Sequence, residues 1–316
     1  MKKRLARVKY RKVLLKTVPL WFAILLTIES SVMVGLTEYY FMKKNFNKSV
    51  LELSKTTGSS EELVQLLKQE VIPQKGYVLA VKWNDVGKLL LSTGAIDKKA
   101  FEELFIDEPV GAKHMWHLEN NSKDQMMISE GGSRFMVNTL WALGLVNKSK
   151  ILDEGSMQKY GEGDVMSFAS TGGWNLGTRP TEELYSSSKI IELSEKQEEL
   201  VRKIAVSVYR PCCGNHTEFP DCNHGMTALG YIQLAVKQGV SEKRIYQDLL
   251  ALNSFWFPQN YVELAAYFQK QNIDWKNVDP KLALSSEYSS ADGMQKVRES
   301  VQSIPGIGPQ GGGCSA

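Results

Sequence analysis

Residues 241–268 read SEKRIYQDLLALNSFWFPQNYVELAAYF. Ile245, Leu249, Leu252 and Trp256 recur at intervals of four, three and four, the period of one buried helix face. Ser241 stands where an N-cap belongs. Pro258, with fixed φ and no N–H, opens a second helix carrying Tyr261, Leu264, Ala265 and Phe268. Working back along the chain, Ser194 and Gln197 form a capping box ahead of Leu200, Val201, Ile204, Ala205 and Val208, a run closed by Pro211. A further helix is predicted from Met226 to Gln238, ended by Gly239. Four helices joined by short turns predict a mainly α fold with a C-terminal antiparallel helical bundle.

Upstream, Ser59 and Glu62 form a second capping box before Leu63, Leu66 and Leu67, and Pro73 and Gly76 end that helix. Tyr77 to Trp83 reads as one short strand. Asn84 or Asp85 then caps a helix with Val86, Leu89 and Leu90, and Asp97 caps another with Phe101, Leu104 and Phe105. Phe135, Met136, Leu140, Leu143 and Val146 mark the next helix. From there to Leu193 the chain is rich in Gly and Ser and reads as an ordered, irregular loop region. Its STGGWNLGT run at 170–178 lacks the Lys and the spacing of a P-loop, so its glycines are read as turn residues.

The N-terminus points to a compartment. The chain of 316 residues carries a formal net charge of +3, but Lys2, Lys3, Arg4, Arg7, Lys9, Arg11, Lys12 and Lys16 lie in the first sixteen positions, which hold no acid. Without them 30 Lys and Arg face 35 Asp and Glu, a balance that argues against nucleic acid as a partner. Val18 to Leu36, VPLWFAILLTIESSVMVGL, supplies nineteen mostly apolar residues, about 28 Å of helix, enough for one membrane crossing. Met33, Val34 and Gly35 make a poor cleavage site, and Tyr39, Tyr40, Phe41, Lys43 and Lys44 read as an interfacial anchor. The expectation is an uncleaved signal anchor at 18–36 behind a basic cytoplasmic tail at 1–17; a cleaved signal peptide is the alternative. A polar stalk at 37–58 then leads to an extracytoplasmic helical domain at 59–303 and a flexible Gly-rich tail at 304–316.

Between two of the C-terminal helices runs PCCGNHTEFPDCNHG, residues 211–225, with three of the four cysteines and two of the four histidines. Thiolates and neutral imidazoles are the donors that soft or borderline ions prefer. Cys212, Cys213, His216, Cys222 and His224 are therefore candidate metal ligands, with Glu218 and Asp221 as oxygen alternatives, and copper or zinc is the implied ion. Adjacent cysteines are expected to point apart, which leaves one of Cys212 and Cys213 for any one ion. Cys222 falls near a helix N-terminus, where a thiolate is favoured. If the chemistry is redox, Cys222 attacks and Cys213 or Cys314 resolves. The absence of a CxxC motif counts against that reading, and a structural Cys213–Cys222 disulfide is the third alternative. Cys314, behind a Gly- and Pro-rich run, is a mobile accessory thiol in this reading. His114 and His117, one helical turn apart, form a weaker candidate pair.

The run PCCGNHTEFPDCNHGM at 211–226, with NSFWFPQ at 253–259, YSSADG at 288–293, VKWNDVGKLLLSTGAID at 81–97 and the Cys-bearing tail, resembles a group of uncharacterised bacterial membrane-anchored proteins. The resemblance implies a prokaryotic envelope setting and carries no activity, cofactor or fold.

Overall fold

The computed structural model describes residues 60–107 and 111–307. The basic tail, the 18–36 anchor, the stalk and Cys314 lie outside the described residues. Among the described residues, no helix is long and apolar enough to cross a membrane.

The described chain is mainly helical. Helix α1 covers Ser60–Val71, strand β1 Tyr77–Asn84, α2 Val86–Ser92, α3 Lys98–Phe105, α4 Gly111–Glu119, strand β2 Ser122–Ile128 and α5 Ser133–Val146. Short one-turn helices follow, and then α6 Glu195–Ala205, α7 Asn223–Lys237, α8 Glu242–Trp256, α9 Pro258–Lys270 and α10 Ala291–Val301. Local chemistry sets the ends: Asp97 accepts from the Ala100 N–H, Ser241 from the Arg244 N–H, and Gln197 from the Ser194 N–H. Helix α6 stops at Ala205, before Pro211.

The expected C-terminal bundle is not self-contained. Helix α7 packs most extensively against α5, from the N-terminal half. Every side chain from Phe135 to Val146 is buried, which makes α5 a central helix and not an amphipathic surface one. The two backbones meet where Gly144 faces the Met226 carbonyl and Gly230 the Leu140 carbonyl; a Cβ at either glycine would overlap that oxygen. Helix α9 in turn lies against α1 and α10, so sequence-distant helices share one core. That core continues past residue 303, with Ile304 and Ile307 buried.

Strand β1 does not stand alone. It pairs antiparallel with β2, Tyr77 opposite Ile128 and Asn84 opposite Ser122, with irregular register between. Leu79, Val81 and Trp83 alternate inward from β1, while β2 buries Met126 and Ile128 and exposes Lys123, Asp124 and Gln125. Side chains cover the other edge of β1. Gln238 accepts from the Lys82 N–H and donates to its carbonyl, both at 2.8 Å, and Asp248 accepts from the Ala80 N–H at 2.7 Å. Asp248 is buried and also binds the hydroxyls of Tyr77 and Tyr231 and the Arg244 guanidinium. In the irregular region the Trp174 and Trp141 indoles donate to the Ala95 and Ser170 carbonyls, which orders a loop without long helices.

Candidate metal centre

The Cys/His segment leaves α6, folds back on itself and enters α7. Thr217 closes the fold-back: its N–H and hydroxyl both donate to the Val208 carbonyl. At its centre lies Arg210, 1% exposed. The guanidinium Nη1 donates to the Asn215 carbonyl at 3.2 Å, and Nη2 donates to the Phe219 carbonyl at 3.1 Å and to Asp221 at 2.8 Å. Nε donates to the Cys222 sulfur at 3.0 Å. The loop is therefore wrapped around one cation. Asn215 holds the second Asp221 oxygen at 2.8 Å. Gly225, in the first turn of α7, lies directly against the guanidinium, and a Cβ there would overlap it. A helix-breaking residue in this turn is thus explained by close approach.

Cys222 is the N-cap of α7, and its sulfur accepts from the Gly225 N–H at 3.4 Å. Cys212 and Cys213 sit in the turn that follows Arg210. The Cys212 and Cys222 sulfurs are 3.5 Å apart, and the three sulfurs of Cys212, Cys213 and Cys222 lie within 4.8 Å of one another. Adjacent cysteines thus share one side here, because a turn does not alternate its side chains as a strand does. All three are free thiols, each partly exposed.

The charges sort themselves around Arg210. Cys222 is held well below the usual thiol range, because Cys212 and Cys213 donate S–H contacts to it and the guanidinium favours its charge, together outweighing burial. Cys212 is raised by its contacts with Cys213 and Cys222 and by burial. For Cys213, contact with Cys212 lowers the value, but contact with Cys222 and burial prevail and push it up to about 11. Burial opposes the Arg210 charge, yet the sulfurs of Cys222, Cys213 and Cys212 more than restore it. A guanidinium buried at the positive end of a helix needs anions beside it, and Asp221 and the Cys222 thiolate are those anions.

Of the five expected ligands the structure brings three together. Among the described residues, the set of mutually close donor atoms holds the three sulfurs and neither histidine. His224, wholly buried in the first turn of α7, packs against Trp256 and Phe257 with ring centroids 5.4 and 4.6 Å away. Burial lowers it to about 4, so it is neutral, and neither ring nitrogen has a hydrogen-bond partner among the described residues. His216 lies edge-on to Tyr209, and burial lowers it too. Both oxygen alternatives are engaged elsewhere: Asp221 by Arg210 and Asn215, Glu218 by Ser156 and Arg202. His114 and His117 share α4, as their spacing predicts. His117 stacks on Trp83 at 5.0 Å and His114 tilts on Phe135 at 4.7 Å, so both belong to an aromatic core cluster.

Sequence reasoning missed Arg210. Its only signal is position, one basic residue directly before Pro-Cys-Cys, and a lone Arg ordinarily reads as solvated.

No family model, curated protein or solved structure matches the chain.

Proposed function

We propose that the 210–225 loop binds one soft or borderline metal ion, copper or zinc, through the thiolates of Cys212, Cys213 and Cys222. The role would be storage, delivery or sensing. The protein, in this reading, is anchored once in a bacterial membrane by residues 18–36, with its helical portion outside the cytoplasm, and has no nucleic-acid partner. One observation carries the site: three sulfurs from the two ends of a loop already lie within 4.8 Å of one another. Three sulfurs each ~2.3 Å from a single ion stand about 3.8–4.0 Å apart, so little rearrangement separates the free thiols from a loaded site. Arg210 supports the reading, since its buried guanidinium, 3.0 Å from the Cys222 sulfur, offsets thiolate charge.

The test is elemental analysis of the chain purified without chelator, beside a thiol count in native and denatured protein. One metal per chain, with three loop thiols titrating after its removal, is the expected result. Alanine at His216 and His224 should leave the stoichiometry intact, while Cys222→Ser should abolish it. Absence of metal after reconstitution with either ion would overturn the proposal.

The 3.5 Å approach of Cys212 and Cys222 favours a second reading, thiol–disulfide exchange. There the Cys222 thiolate attacks a substrate disulfide, and Cys212 then attacks Cys222 to release the second substrate thiol and leave a Cys212–Cys222 bond. Turnover of a fluorogenic disulfide by metal-free protein with a dithiol supplied to reduce the Cys212–Cys222 bond, lost in Cys212→Ser, would establish it. A structural staple would use the same pair but show no turnover.

A further inference from the structure

We infer that the site selects a soft monovalent ion, copper(I), held by three sulfurs, over four-coordinate zinc; this rests on the metal-site reading above. The donor count comes first. Structural zinc is almost always tetrahedral and needs a fourth ligand. Among the described residues, no fourth donor lies with the three sulfurs. His224 is enclosed by Trp256 and Phe257, and His216 lies against Tyr209. Asp221 is bonded to Arg210 and Asn215, and Glu218 to Ser156 and Arg202. Copper(I), a closed-shell soft ion without a demand for four donors, is satisfied by three thiolates, the ligand type that selects it.

Charge is compatible with that choice. Three thiolates around a monovalent ion leave two negative charges, against one around a divalent ion. The Arg210 guanidinium, 3.0 Å from the Cys222 sulfur and inaccessible to water, offsets one of them, and the N-terminus of α7 offsets part of the other. Together they offset most of the charge of a copper(I) trithiolate, so the buried cation is a suitable neighbour for one.

The experiment is an anaerobic competition on the full chain in detergent with reductant present. Copper(I) is supplied against a chromogenic copper(I) chelator and zinc against a chromogenic zinc chelator, and X-ray absorption counts the sulfurs on each ion. The expected result is one copper(I) per chain with three sulfur neighbours, and excess zinc that fails to displace it. Cys213→Ser, with its helical circular dichroism unchanged, should weaken copper(I) binding by more than the roughly 10- to 100-fold that loss of an outer-shell partner costs. Zinc held more tightly, with a fourth ligand of any kind, would overturn this inference and leave the metal site standing. Copper(I) on two sulfurs, with Cys213→Ser neutral, would also overturn it. Failure of both ions to bind would remove the metal-site reading itself.

Discussion

Asp248 and Arg210 are both buried charges, and they are surrounded differently. Asp248 on α8 is bound by the Ala80 N–H, two tyrosine hydroxyls and Arg244, all groups that cannot do chemistry at neutral pH. Tyr77 and Tyr231 are both raised, by burial first and then by the Asp248 charge, and stay protonated as donors. That network fastens a strand edge to helices α7 and α8 and has no capacity left. Arg210 is equally buried, but one of its donors ends on a sulfur that belongs to a group of three. The first charge ends on groups inert at neutral pH, the second on a sulfur with two others close by.

The sharpest way to break the comparison is to remove each ion. Asp248→Ala and Arg210→Met should each cost about 3–5 kcal/mol in chemical denaturation, because each strands buried partners. Only Arg210→Met should also slow alkylation of Cys222 at neutral pH several-fold, since the thiolate loses its cation; equal alkylation in both variants would erase the distinction.

Next in size is an acid effect confined to the sulfur side. His224 is depressed in the folded protein, so the unfolded chain binds its proton first. The stability it contributes is complete above about 6.5 and lost as pH falls toward about 4, about 3 kcal/mol in all. Its charged neighbours are Cys222, which raises it, and Arg210, which lowers it, with burial the larger cause. Denaturation midpoints from pH 7 to 4 should fall less steeply for His224→Phe than for the natural chain; parallel curves would mean the ring is not buried as described.

Smaller still is the cost of a methyl group. Gly225→Ala, pressed into the guanidinium, and Gly144→Ala, pressed into the Met226 carbonyl, should each cost about 1–3 kcal/mol by melting. Gly225→Ala should in addition reduce Cys222 reactivity, and Gly144→Ala should not.

What was legible in the sequence was local. Ser241, Asp97, Gln197 and Pro258 set helix ends through contacts within four residues, and each end lies where its cap requires. Strand β2 was hidden because Ser122–Ile128 offers only Met126, Met127 and Ile128 beside Lys, Asp and Gln, and its partner lies across three helices. The packing of the C-terminal helices on the N-terminal half is hidden for the same reason: the α5–α7 contact at Gly144 and Gly230 joins residues more than eighty positions apart. At the site, residue types revealed the sulfurs and the N-cap placed Cys222. The turn that aligns Cys212 with Cys213, the removal of both histidines into aromatic packing, and the central place of Arg210 all arise from folding of the loop, which no spacing rule describes.

The most direct test of the central claim is alkylation mapped by mass spectrometry during a metal titration. The account predicts that Cys212, Cys213 and Cys222 become protected together, completely at one equivalent of copper(I), and are exposed together when a chelator removes it. Protection of none, or permanent resistance of one pair as a disulfide, would contradict it.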